Sequence, residues 1–531
     1  MHIDFSRPFN HTVQKCRHRH NSNINNNSNS KFLFKSDRVR RILAALNPSP
    51  RYLKMQTSSC KQEVLSVFNQ IAPRGYICVV LCFPFGDERQ RQIAIDHIHK
   101  CLRKLAKERP LFAGRLCITS DGKVILHRSR AYDIPFEVKP SEYGQEADYE
   151  QLRRDDFPPG YFVNSRYGVP GLEPGNEPIP MSRVEATFAR GGLLLSVYLQ
   201  HAITDGSSLQ VFLASLGNQT RNVSSDKLPS EQRLRIPNPN SPRLLSTRRP
   251  PTPSPSTFTR LLGACPEYNI LPDLSGPTQP VMKATGVPIS DLKKICKIFV
   301  FTTGKLLELR KLLQDMNDSP ELPTSYSCLA ALTFAHVTRA RTRMEPALTG
   351  IEPSKTAELW NSVNWRKRAF VGATDNYFGN AVLPAVTKVS ADQVEAACYD
   401  DQALARLVPV IKRSVNVVDE SYVRQRMVMM SQIPDPRMLG VNYDPRSPDT
   451  LAFNTWRHFG ADAEWSIPGV PANKPDIIRR AVGGFGLGTA LILPAKAASD
   501  RQELSVSLTV EAMETLCKDE RWMRWVDKVI G

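Results

Sequence analysis

The chain has 531 residues, 41% of them apolar and 23% charged, with a formal net charge of +18. That length exceeds one ordinary core and predicts two domains plus extensions. The charge suggests a nucleic-acid binder, but residues 1–58 hold eleven Lys and Arg against Asp4 and Asp37, a net of about +9, and neither a zinc-finger spacing nor an RNA-recognition signature accompanies them.

The eleven cysteines, Cys16 to Cys517, include no CxxC pair. Scattered thiols in odd number fit a reduced, cytoplasmic protein. Apolar runs all fall short of the ~18 residues that a membrane span needs.

Residues 1–58, with the run NSNINNNSNS, read as a disordered basic tail. A mitochondrial presequence, or a true start at Met55, are the competing readings. Order is expected from about Val64. Tyr76 to Phe85 is a strand, Glu88 to Arg109 a basic amphipathic helix, and Leu116 to Ile118 and Val124 to Leu126 a strand pair around Asp121-Gly122. In the LFAGRL stretch, Arg115 is expected to be a structural ion-pair partner. Residues 140–180 read as Pro-, Gly- and Tyr-rich connection.

Leu193 to Leu199 is a nearly continuous apolar run, the pattern of a strand buried on both faces. Asp205-Gly206 signals a turn, Ser207 or Ser208 can cap the helix beyond it, and Leu209, Phe212, Leu213 and Leu216 mark one face of that helix. His201 therefore stands where a buried strand runs out, with Asp205 in the bend beyond. A His and an Asp four apart, taken alone, more often mean a satisfied structural histidine than a catalytic one.

Residues 226–285 are rich in Pro and Ser and read as an interdomain crossover, part of it lying against the body. Lys297 to Phe301 is a strand and Lys305 to Leu313 a helix. Thr324 or Ser325 caps a longer helix through Leu329, Leu332 and His336 to Arg341, in which His336 reads as structural. Beyond SVNWRKR (Ser362 to Arg368) and the turn Tyr377 to Ala381, a helix is expected near Ala391 to Val417. Phe453 to Arg457 is followed by Gly483 to Leu493, a Gly-rich turn into an apolar strand, then by a strand at Leu504 to Val510 and a last helix at Glu511 to Val529.

Three of these segments, in order, carry a resemblance. His201-Ala202-Ile203-Thr204-Asp205-Gly206 resembles the HxxxDG signature of the BAHD acyltransferases and their fungal relatives, the trichothecene 3-O-acetyltransferase-like enzymes. LFAGRL resembles their AGRL segment, and SVNWR with Tyr377-Phe378-Gly379-Asn380-Ala381 resembles their V-[DN]-x-R and Y-F-G-N-A pair. The similarity spans roughly residues 62–530. It implies an α/β fold of two chloramphenicol-acetyltransferase-like domains, each a mixed sheet flanked by helices, with the active-site channel between them. The corresponding division is 59–225 for the first domain, 226–285 for the crossover and 286–531 for the second.

The family's second signature, DFGWG, is matched here by Asp462-Ala463-Glu464-Trp465-Ser466, which keeps the Asp and Trp but loses both glycines. A Glu464 facing the donor channel would repel coenzyme A phosphates; facing solvent it would change little. Lys474-Pro475 offers an alternative match to the lysine and proline that come next in the family's pattern.

The resemblance implies transfer of an acyl group, expected to be acetyl, from a coenzyme A thioester to a hydroxyl or amine of a small molecule, expected to be a secondary metabolite. A thioester carbonyl is already activated, so the reaction mainly needs a base for the acceptor proton. His201 is that base, its imidazole near its working pKa at neutral pH. Asp205 is implied to turn away from it and form a salt bridge with Arg366, while Trp465, by family position, is a candidate oxyanion donor and Asp462 a candidate channel residue. Acyl-CoA enters as co-substrate. Neither a bound cofactor, a metal nor nucleic acid is expected, and the protein is expected to act as a monomer. A peptide-synthetase condensation domain and a catalytically silent, ligand-binding paralogue are the rival readings. Gln200 in place of a second histidine disfavours the first, and the intact His201 to Gly206 disfavours the second.

Overall fold

In the computed structural model the described residues are 60–140, 148–223, 255–271, 274, 276–277, 279–370 and 377–531, all within one compact unit, 52–531. The basic tail and most of the Pro/Ser stretch fall outside them.

The apolar run that organises the first half becomes β4, flanked in chain order by β1 (Tyr76–Pro84), α1 (Arg91–Glu108), β2 (Phe136–Lys139) and β3 (Ser182–Ala189) before β4 itself (Gly192–Gln200), and by α2 (Gly206–Thr220) after it. All nine residues of β4 are buried, because each face has its own cover. Leu193, Leu195, Val197 and Leu199 pack with Ile98, Leu102 and Leu105 of α1 and with Leu209, Phe212, Leu213 and Leu216 of α2. Leu194 and Tyr198 pack on the other side with Tyr149, Phe162 and Tyr167. Those three aromatics come from the region expected to be plain connection, which instead forms short helices at Tyr149–Arg154 and Pro159–Phe162.

The second half supplies β5 (Lys294–Thr302), α3 (Ser325–Met344), β6 (Thr356–Asn364), β7 (Val382–Ser390), β8 (Thr450–Thr455), β9 (Ile477–Ala481), β10 (Thr489–Ile492), β11 (Arg501–Thr509) and β12 (Lys528–Ile530). Seven of these strands make a mixed sheet in the order β7-β6-β8-β10-β11-β5-β12, and α3 lies buried against it. The remaining strand, β9, joins the first sheet, whose order is β9-β1-β4-β3-β2. Its IIRRA sequence gave no strand signal, because one of its two arginines, Arg479, is accommodated by distant groups while Arg480 is exposed. Arg479 is fully buried, donates from Nε to the Phe157 carbonyl at 2.8 Å and pairs with Glu503 of β11, so one guanidinium ties the two sheets together. Beside β9 the two sheets face each other across a crevice narrowed to about 20 Å³, lined by Arg480 and Val482 on one side and Ile298, Ser505 and Ser507 on the other.

Other expectations need correction. The helix expected over Ala391 to Val417 is two helices, Ala391–Ala397 and Asp401–Asn416, the second capped by the Asp400 carboxylate. A helix at Glu420–Ser431 was not foreseen. The last helix stops at Cys517 and, after a single turn at Glu520–Met523, the chain ends as β12. Within the crossover, Pro255–Gly263 is a helix and Tyr268–Ile270 pairs with Leu439–Val441. Arg115 lies over the Tyr132 ring, 5.7 Å from its centroid, where an ion pair was expected. His336 is buried and hydrogen-bonded through Nδ1 to Asp519 at 2.5 Å, a packing role.

Candidate active site

β4 delivers His201 to its end, and the chain then bends at once into α2. The first turn of α2 needs an acceptor for its free N–H groups. Asp205 supplies it, accepting from the Ser208 amide at 3.0 Å, so the cap is the aspartate and neither of the serines proposed for it. Glycine comes next because a Cβ at Gly206 would lie 1.9 Å from the Phe459 ring.

The cap explains one bond of Asp205; the other three cross the molecule. Arg366 Nη1 and Nη2 donate to its two oxygens at 2.8 and 3.0 Å, and the Ala381 amide donates at 3.0 Å. Arg366 in turn donates from Nε to the Tyr377 carbonyl at 2.9 Å and from Nη2 to the Gly379 carbonyl at 2.7 Å. Asp205 is 2% exposed and Arg366 6%. Burial pushes the Asp205 carboxyl up, but the charge and hydrogen bonds of Arg366, with the amides of Ala381 and Ser208, outweigh it and hold it below the usual carboxylate range. With both oxygens so engaged, Asp205 does not serve as the third member of a triad.

Gly379 is where the turn carrying these partners closes. Its φ of +147° is open to glycine, and a Cβ there would lie 2.6 Å from the Tyr377 hydroxyl. Ser208 clasps it, accepting from its amide at 3.1 Å. The next residue, Asn380, donates from Nδ2 to the His201 carbonyl at 2.8 Å and to Asn69 Oδ1 at 3.0 Å, and its own amide reaches the same oxygen at 2.8 Å.

The His201 main chain is thus held from two sides, since its amide also donates to the Gly75 carbonyl at 2.9 Å. Nδ1 of its imidazole is buried without a hydrogen-bond partner among the described residues. Burial lowers the pKa of this ring below the usual 6.5, against smaller opposing pulls from its own backbone, Asp205, the Thr204 backbone and, least, Asn380. A neutral imidazole at the end of a rigid strand can accept a proton at physiological pH.

Trp465, expected as an oxyanion donor, and Asp462, expected as a channel residue, both belong to the segment after β8. The segment after β8 runs along α2, with Phe459 against Gly206 at its start and the Glu464 carbonyl and Trp465 ring against Gly217 near its end. Eleven helical residues separate these points by about 16 Å. Trp465 is 2% exposed in the first-domain core, with its ring centroid 5.9 Å from that of Phe83, too far along α2 to meet an oxyanion beside His201. Asp462 accepts from Lys474 Nζ at 3.0 Å and from the Ala497 amide at 2.9 Å, a loop tie. Glu464 pairs with Arg221 at 2.6 Å. Sequence reading missed Asn69 and Phe459; the LSVFNQ stretch carries no local sign that its asparagine contacts a turn 311 residues away.

Two α/β halves, each built on a mixed sheet with flanking helices, and a histidine-bearing strand end locked to the other half by a buried ion pair define an acyltransferase-type architecture. This chain belongs to the Transferase family, whose sequence profile matches residues 55–523, and its members of the BAHD type transfer acyl groups from coenzyme A thioesters. A trichothecene 8-O-acetyltransferase of Fusarium sporotrichioides is 22% identical over 499 residues, covering 88% of this chain and 97% of that protein. A hydroxycinnamoyl-CoA:5-hydroxyanthranilate N-hydroxycinnamoyltransferase of Avena sativa is 24% identical over 420 residues, covering 76% and 81%. Among solved structures, TRI101 of F. sporotrichioides with coenzyme A and T-2 superposes with a TM-score of 0.67 at 20% identity, covering 89% of this chain and all of that one. Vinorine synthase superposes with a TM-score of 0.56 at 19% identity, covering 91% and 96%. Among the described residues no helix is long and apolar enough to cross a membrane.

Proposed function

We propose that the protein moves an acyl group, acetyl in the first instance, from coenzyme A to a hydroxyl or amine of a small secondary metabolite, with His201 as general base. The observation that carries this reading is the lock around the base: a half-buried imidazole on a strand end, its Nδ1 buried, whose adjoining loop is fixed by Asp205 and Arg366 at 2.8 Å. Nε2 of His201 takes the acceptor's proton as its oxygen or nitrogen attacks the thioester carbonyl. When the tetrahedral intermediate collapses, the carbon–sulfur bond breaks and the proton passes to the departing coenzyme A thiolate. Asp205 and Arg366 act by geometry alone, keeping the base within reach of the reacting atoms.

The acetyl preference follows the acetyltransferases among the similar proteins, and the choice of hydroxyl or amine spans what those relatives are named for. The test is a panel of alcohols and amines incubated with acetyl-CoA, with free thiol as the readout. Acceptor-dependent thiol release that disappears in His201→Ala supports the proposal. Release that persists undiminished in a folded His201→Ala protein removes His201 from the mechanism.

A further inference from the structure

We infer that Asn380 is a positioning residue for His201, accepting its Nδ1–H so that the Nε2 lone pair is the one offered to substrate; this rests on the reading of His201 as the base.

The orientation of the Asn380 carboxamide is settled by its neighbours. Both hydrogens of Nδ2 are used, one on the His201 carbonyl at 2.8 Å and one on Asn69 Oδ1 at 3.0 Å. Asn69 cannot reverse the arrangement, because its Oδ1 also accepts the Asn380 amide at 2.8 Å and a carboxamide nitrogen accepts nothing. Oδ1 of Asn380 is therefore the one polar atom of that side chain for which no hydrogen bond is formed among the described residues. His201 Nδ1 is likewise buried and unpartnered. Asn380 Oδ1 and His201 Nδ1 thus sit on two residues already joined by a 2.8 Å bond.

A triad gives this task to a carboxylate, which holds the imidazole in one tautomer. Here the nearest carboxylate, Asp205, is fully engaged by Arg366, Ala381 and Ser208. A neutral amide in its stead fixes the tautomer without adding negative charge beside the base. The pull of Asn380 on the His201 titration runs the same way, favouring a proton on the ring. Asp205 bears on His201 from its own loop, with the Arg366 guanidinium behind it. Tyr377, whose hydroxyl is hydrogen-bonded to Ser66 at 2.9 Å, is the other titratable group of the turn carrying Asn380.

The test combines ¹⁵N-histidine NMR with kinetics. The chain has ten histidines, and a His201→Gln sample identifies the signal of interest. The wild type is expected to show His201 protonated on Nδ1; protonation on Nε2 overturns the proposal, whatever the enzyme's activity. Asn380→Leu and Asn380→Asp both lose the Nδ2 donors, but only the aspartate keeps an acceptor. Asn380→Leu should lower kcat by ~10²-fold, with KM for acetyl-CoA nearly unchanged. Asn380→Asp should lose less and move the acid limb of the pH–rate profile upward, since an adjacent carboxylate raises a histidine pKa. Equal losses with an unshifted limb would mean that Asn380 is only a structural brace and overturn the proposal. If the Asn380 variants fail to fold, Asn69→Ser loosens the carboxamide alone, and a mixed His201 tautomer with a several-fold lower kcat is the expected result; an unchanged tautomer and kcat overturn it. Undiminished turnover in His201→Ala would instead sink the general-base reading while leaving the tautomer result intact.

Discussion

The segment after β8 reaches both ends of α2, yet the two ends treat their motif residues differently. At the N-terminal end, Asp205, Gly206 and Ser208 meet Arg366, Phe459, Gly379 and Ala381, and each side chain is fixed by a buried partner with little room to vary. At the C-terminal end the stretch Asp462 to Pro468 merely lies along the helix, and it has lost both glycines of the family's pattern. The close approach is provided by Gly217 of the helix itself, where a Cβ would lie 2.5 Å from the Glu464 carbonyl. The Glu464 side chain points away and pairs with Arg221, both partly exposed. Residue identity is strict where buried charges must be matched across the two halves and loose where a loop supplies only backbone cover.

The sharpest way to break this contrast is at its strict end. His201→Ala should lower turnover by ~10²–10⁴-fold while the melting temperature stays near that of the wild type. A smaller loss would say that substrate placement, and not proton transfer, limits the reaction.

Next in size is the lock. Asp205→Ala removes the carboxylate that a buried guanidinium faces and should cost about 3–5 kcal/mol of stability, measured by denaturant unfolding. Arg366→Ala should cost a comparable amount, and the double variant less than the sum of the two. The Asp205 carboxyl is held below its ordinary range, so its contribution is fully present above about pH 4, the unfolded value, and fades as pH falls through the lower folded one. Strictly additive losses would show that the two residues act independently.

The loose end supplies the smallest effect. Glu464 is neutralised by Arg221 and lies by the far end of α2, so Glu464→Gly should leave acetyl-CoA affinity within about twofold at low and at high salt, by calorimetry. A clear gain in affinity that fades with salt would place this carboxylate in the field of the donor phosphates and erase the contrast between the two ends.

Much of this was legible in the sequence where the signal is local. The apolar run Leu193 to Leu199 reads as a two-sided buried strand, and Leu209, Phe212, Leu213 and Leu216 give the helix face, because each pattern depends only on near neighbours. The pairing of Asp205 with Arg366 was within reach through family likeness. What escaped depends on distant partners. β9 hides as a strand because Arg479 looks solvent-bound until Glu503 and the Phe157 carbonyl are found. Trp465 was misplaced for the converse reason: motif position does not reveal how far along a helix the matching loop lies. Asn69 is one polar residue in a short amphipathic turn, and only the folded chain brings it to Asn380.

The pH dependence of kcat/KM for acetyl-CoA with a saturating acceptor bears most directly on the central claim, that a half-buried, neutral His201 is the base. Burial disfavours the imidazolium, so the acid limb should fall below pH 6.5, with activity flat through neutrality, and His201→Ala should abolish that limb along with the activity. A limb at or above pH 7, or one of unchanged position and height in His201→Ala, would contradict the account.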